Sequence, residues 1–239
     1  MPLNFMTYKY FFDFFNEHLN NYDDKFGHSD FWNKEIDKWL KLLYELDENF
    51  YNKGKTRISN AKNRDEFLGE VKSIYYCKNF LKGNNIKLEP VCNGKNELDF
   101  SYIKDGEIFF VEVKSPSWRG EVFKDSDLTH NEKIKRLKKP QYLKSGGGSY
   151  TPKDAIEDSI KNSLSKFVKN QKNILMITPN MKVPVCIHHN RLLKSMIKDE
   201  LNKQDTDNLI SGVAFLEVSH YFNKTEMEYE YKFFKNNKI

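Results

Sequence analysis

Apolar residues recur every three or four positions through the first sixty residues, then at every second position near the middle of the chain, so helices are expected first and strands after. In MPLNFMTYKYFFDFFNEHL, Tyr8, Phe11, Phe12, Phe15 and Leu19 share one helical face. Phe31, Ile36, Trp39, Leu40, Leu43 and Leu46 do so again in the next segment, behind a Ser29 or Asp30 cap. A further helix is expected from about Asn63, where NRDE sets Asn63 as N-cap and Glu66 three residues on, a variant of the capping box. Its apolar stripe is Phe67, Val71, Ile74, Cys77 and Leu81.

The pattern then shifts to short strands, expected at 86–92, 97–103 and 107–114. Residues 115–152 read as a long irregular insertion containing a basic run and SGGGSYTP. A helix at about 153–169 follows, then NILMIT at 173–178, a continuous apolar run suited to a strand covered on both faces. A helix near 190–203 and strands near 210–219 and 226–235 complete the chain. Strands alternating with helices, with a hairpin at the centre, predict an α/β fold: a mixed sheet flanked by helices. Residues 1–62 read as an N-terminal helical subdomain and 63–239 as the sheet-containing domain.

At 239 residues the chain can bury one sizeable core. Charged residues are 31% and aromatics 15%, a globular composition. The formal charge of +5 is modest, and matters only where it is locally concentrated. Cys77, Cys92 and Cys186 are widely spaced and form no CxxC pair, so neither a disulfide framework nor a thiolate zinc site is expected, and a cytoplasmic setting fits. Lys9, Asp13 and Glu17 interrupt the N-terminal apolar stretch before it reaches the roughly 18 residues of a membrane span, and it lacks the layout of a signal peptide.

Candidate chemistry enters with the hairpin. Asp105-Gly106 between two strand-like runs predicts a two-residue type I′ turn. Counting back from it sets Ile103 opposite Ile108, Ser101 opposite Phe110, Asp99 opposite Glu112 and Glu97 opposite Lys114. The other face would carry Leu98, Phe100 and Tyr102 against Val113, Val111 and Phe109. Two carboxylates set opposite each other repel unless a cation neutralises them or one takes a proton. Oxygen-only ligation suits Mg²⁺, with Mn²⁺ as a substitute, and Lys114 would lie beside the ion. Glu70 falls inside the apolar stripe of its helix, where a carboxylate is costly unless paired or metal-bound.

Asp99, a hairpin's length of chain, then Glu112-x-Lys114, preceded by a helix with an inward Glu70, resembles the PD-(D/E)XK superfamily of nucleases, which share a restriction-endonuclease-like core. The match spans roughly residues 63–178. The resemblance implies that Glu70, Asp99 and Glu112 bind the metal and that Lys114 assists phosphodiester hydrolysis. Leu98 stands where many members have proline, a variation the superfamily tolerates. Gln141-Tyr142 lacks the spacing of the exonuclease branches.

The run NEKIKRLKKPQYLK concentrates Lys133, Lys135, Arg136, Lys138 and Lys139. It reads equally as a solvated loop or as a phosphate-contacting surface, with Tyr142 and Trp118 available to stack on bases. Gly146–Gly148 lack the Lys-Ser/Thr of a P-loop and read as a hinge. His188-His189 reads as an ordinary strand end. Lys166, on the helix after the insertion, either approaches the site or is a solvated helical lysine. The expected function is a cytoplasmic Mg²⁺-dependent DNA endonuclease of restriction, phage-defence, mobile-element or repair type, acting on nucleic acid as a homodimer or with a partner protein. The alternatives are a non-catalytic nucleic-acid-binding or assembly module of the same fold, and an RNase or toxin.

Overall fold

The computed structural model describes residues 8–15, 30–58, 61–92, 96–116, 152–178, 190–219 and 227–236. Four helices come first: α1 (Lys9–Phe15), α2 (Asp30–Leu46), α3 (Glu48–Arg57) and α4 (Ala61–Asn79). Asp47 separates α2 from α3 and caps the latter, its carboxylate accepting the Phe50 N–H. Strands β1 (Asn84–Leu88), β2 (Val91–Cys92), β3 (Asn96–Glu97), β4 (Phe100–Lys104) and β5 (Glu107–Lys114) follow. The chain continues with α5 (Pro152–Leu164), β6 (Lys172–Ile177), α6 (Asn190–Gln204), β7 (Gly212–Ser219) and β8 (Glu228–Lys235).

The predicted α/β class holds: six strands form one mixed sheet in the order β1-β4-β5-β6-β7-β8. β5, β6 and β7 run parallel, and the outer pairings are antiparallel. Parallel neighbours need crossover connections, and α5 and α6 lie in the two that link β5 to β6 and β6 to β7. At the hairpin both Asp105 (φ 52°) and Gly106 (φ 79°) have positive φ, as a type I′ turn demands.

Side chains alternate between the sheet's two faces. On β6, Ile174 and Met176 join an apolar cluster with α1 to α4, while Leu175 and Ile177 join a second cluster with α5 and α6. This double cover explains the continuous apolar run of NILMI. The first cluster extends unbroken from Tyr8, through Phe15, Trp39 and Phe67, to Val111 and Val218, so the N-terminal helices and the sheet share one interior.

Several local expectations are corrected. Helix α4 starts at Ala61, so Asn63 lies in its first turn and is not its N-cap. The strand expected over 86–92 is interrupted after Leu88, where Glu89 takes φ 45° ahead of Pro90, and Val91–Cys92 pairs instead with Asn96–Glu97 in a separate two-stranded ribbon. The strand expected over 97–103 therefore begins only at Phe100. Glu97 pairs with Val91 and does not face Lys114, and Leu98 packs in the second apolar cluster, opposite to Phe100 and Tyr102.

The N-terminal helices dock through aromatic contacts. Phe14 stacks on Phe67 at 5.4 Å and 10°. Gly54 of α3 abuts that ring so closely that a Cβ at this position would overlap Phe67. We predict that Gly54→Ala destabilises the protein by about 1–3 kcal/mol through overpacking, against a helix-propensity gain of up to roughly 1 kcal/mol. Equilibrium urea unfolding measures this, and a stabilised variant would show that α3 and α4 pack less tightly.

Candidate active site at the carboxyl ends of the parallel strands

The site is built around Glu112. On β5 it aligns with Leu175 of β6, and it has no exposed surface. A carboxylate there needs a partner. Two ammonium groups meet it: Lys114 Nζ lies 2.5 Å from Oε1, and Lys166 Nζ lies 2.7 Å from Oε1 and 2.9 Å from Oε2. Lys114 is two residues along the same strand, whereas Lys166 arrives from the turn after α5. The approach of Lys166 is thus met in the structure.

Asp99 differs from its expected place. The β4–β5 ladder ends at Phe100 opposite Val111, and Asp99 sits in the bend before it. Its Oδ2 accepts the Val113 N–H at 2.6 Å, so Asp99 caps the end of the ladder and does not pair with Glu112 across it. The two acids nevertheless remain electrostatic neighbours. Burial, then the nearby charges of Glu70 and Glu112, push the Asp99 carboxyl up to about 8.

Glu70 points inward as its place in the stripe requires, and its residue is buried. Its carboxylate is held bidentately by Arg57, with Nη1 at 2.9 Å and Nη2 at 2.6 Å. Burial raises the Glu70 pKa, Arg57 opposes the rise, and Glu112 and Glu66 add to it. Neighbouring Gly69 brings α4 against the strand ends: a Cβ there would overlap Ser115 Oγ and lie 2.6 Å from Thr178 Oγ1. Those two hydroxyls are bonded to each other at 2.6 Å. A glycine at 69 is what admits the helix this close.

Glu70, Asp99, Glu112 and Lys114 therefore converge at one end of the sheet. Arg57 was missed in the sequence. A buried Glu70 demanded a counter-charge, but nothing in the spacing singled out a residue at the end of a different helix. Among the described residues, no group of three or more His, Cys, Asp or Glu side chains is arranged to hold a metal ion. Arg57 takes Glu70, while Lys114 and Lys166 take Glu112. Asp99, with a backbone amide as its hydrogen-bond donor, is the one of the three acids with no ion pair among the described residues. Its raised pKa means that a proton takes the place of a cation at neutral pH. All the donors are carboxylate oxygens, which fits a hard divalent cation.

Lys133, Lys135, Arg136, Lys138, Lys139 and Tyr142 lie outside the described residues, as do Trp118 and the His188-His189 pair. Among the described residues no helix is long and apolar enough to cross a membrane. No family model matches the chain, and no curated protein matches it in sequence.

The Asp99 shift has a definite sign. Between its ordinary value of 3.8 and about 8, the folded state holds a proton that the unfolded chain has released. Its contribution to stability is therefore full below about pH 3.8 and is lost as pH rises toward 8. Thermal melts in EDTA from pH 4 to 8 should show this decline in the wild type and a shallower one in Asp99→Asn. Equal slopes would mean that Asp99 ionises normally.

Proposed function

We propose that the chain is a metal-dependent nuclease that hydrolyses phosphodiester bonds, acting on DNA as an endonuclease, with a restriction-endonuclease-like core. The observation that carries this reading is Asp99. Among the described residues it is the one of the three acids with no ion pair of its own, close enough to Glu70 and Glu112 for each to raise its pKa, in a site that also holds Lys114. The strand order supports it too: an antiparallel hairpin leads into parallel crossovers, and the acids collect where the parallel strands end, a common position for sites in α/β sheets.

Asp99, Glu112 and Glu70 would hold Mg²⁺ or Mn²⁺, which when bound polarises a phosphoryl oxygen and acidifies an attacking water. The Val113 N–H fixes the orientation of the Asp99 carboxylate. Lys114, with its side chain 28% exposed, stands at the solvent side of buried Glu112, where an ammonium can orient water or stabilise developing negative charge. Arg57 holds Glu70 in position from the N-terminal helices.

One observation favours the second reading, a non-catalytic nucleic-acid-binding or assembly module: Arg57 neutralises Glu70, Lys114 and Lys166 neutralise Glu112, and a proton neutralises Asp99, without any metal ion. The two readings separate experimentally. Supercoiled plasmid and labelled RNA, each incubated with Mg²⁺ or Mn²⁺, should show metal-dependent cutting of the DNA. Asp99→Ala and Lys114→Ala should each lower the rate roughly a hundredfold or more. Selective cutting of RNA would identify an RNase. Nucleic-acid binding without metal-dependent, mutation-sensitive cutting would establish the module.

A second readout does not depend on turnover. Mn²⁺ should raise the melting temperature of the wild type more at pH 8 than at pH 5, because at low pH the ion competes with the Asp99 proton. Asp99→Asn should abolish most of that difference. A stabilisation independent of both pH and Asp99 would place metal binding elsewhere.

A further inference from the structure

Lys166 and Lys114 converge on one carboxylate from different segments of the chain. Glu112 carries a single negative charge and is wholly buried, and Lys114 at 2.5 Å already neutralises it. The second ammonium, 2.7 and 2.9 Å from the two oxygens, exceeds what Glu112 requires. It is also not enclosed: the Lys166 side chain is 34% exposed, against none for Glu112, so this lysine lies between the buried acid and solvent. Its backbone is anchored two residues beyond α5, where the Lys166 N–H donates to the Ser163 carbonyl at 3.0 Å. The negative end of the helix dipole favours a cation at this place.

We infer that Lys166 is a phosphate-binding residue of this site, receiving a non-bridging oxygen of the nucleic-acid backbone on the solvent side of Glu112. The inference rests on the nuclease reading and adds to it a contact from α5, outside the Asp-hairpin-Glu-x-Lys pattern. With a divalent ion on the three ionised acids, three negative charges stand against five positive ones, an excess of two positive charges. A phosphodiester and the charge that develops on it would meet that excess. Lys166 is the cation placed to make this contact without leaving Glu112 bare, because Lys114 stays in position.

The test reads binding apart from turnover. A fluorescein-labelled DNA duplex is titrated with the full chain in EDTA over a series of KCl concentrations, following anisotropy. Lys166→Ala should reduce the slope of log K against log salt by about 0.9, the loss of one phosphate contact. Lys166→Arg should restore it. Lys161→Ala, at an exposed position on α5, should leave it unchanged. Lys166→Met keeps the aliphatic stem and should behave as Lys166→Ala, which covers the case in which the alanine variant folds poorly. A wild-type slope in Lys166→Ala and Lys166→Met, accompanied by a lower melting temperature, overturns the inference and makes Lys166 a structural counter-ion of Glu112. In that case, metal-dependent cutting by the wild type would leave the nuclease reading standing. A wild type that neither binds nor cuts DNA sinks both.

Discussion

A carboxylate with no solvent contact, on a strand covered on both faces, constrains everything around Glu112. An unpaired charge there would cost several kcal/mol, so β5 must end with a counter-charge on the same face, which Lys114 supplies, and the turn after α5 brings a second ammonium within reach. The length of α5 and its connection to β6 are thereby tied to the chemistry of β5, because a shift of one residue in that turn would carry Lys166 away from its acid. Replacing the trio by apolar residues would satisfy the packing equally well. Its presence in an interior otherwise filled by Ile, Leu, Val and Phe therefore argues for a use beyond stability.

The scaffold that brings Glu70 to the same place is built differently. Helix α4 is held on one side by the aromatic contacts among Phe14, Phe50 and Phe67 and on the other by the close approach at Gly69. Helix α2 is tied to the far strand by a polar chain: Trp39 Nε1 donates to the Tyr229 hydroxyl at 2.5 Å, and that hydroxyl donates to Glu35. Tyr229 in turn packs with Tyr76 and Phe80 of the α4 end. The N-terminal helices are thus clamped to the sheet at both its centre and its β8 edge. Arg57 reaches Glu70 from within this clamp, which makes these helices part of the site's electrostatics.

Much of this was legible in the chain. Asp105-Gly106 set a register that the ladder follows from Lys104–Glu107 to Phe100–Val111, and the stripe of Phe67, Val71, Ile74 and Cys77 placed Glu70 in the interior. Register counting failed at Asp99 because it assumes that the ladder continues. The positive φ of Glu89 and the proline after it end β1 and send the chain into the separate β2–β3 ribbon, and Asp99 sits in the bend between that ribbon and β4. Such a break depends on tertiary packing, and period-two alternation carries no trace of it. Arg57 and Lys166 were hidden for a related reason: each meets its acid across 13 and 54 residues respectively, distances over which only the assembled fold sets proximity.

The charge arrangement links these separate pieces. Arg57, Lys114 and Lys166 come from α3, β5 and the turn after α5, and their acids come from α4 and β5, so the ion-paired cluster joins the N-terminal helices, the sheet and the opposite helical layer. Only Asp99 lacks a cationic partner within that set, and it carries the largest consequence, a carboxyl that keeps its proton to about pH 8. A purely structural cluster would gain from replacing Asp99 with an amide, which can receive the Val113 N–H without any charge to bury. Retaining an ionisable group where burial and two neighbouring acids oppose its ionisation is understandable if a cation other than a proton is meant to arrive. That is the physical reason to read the end of this sheet as a site for chemistry and not only as a joint between layers.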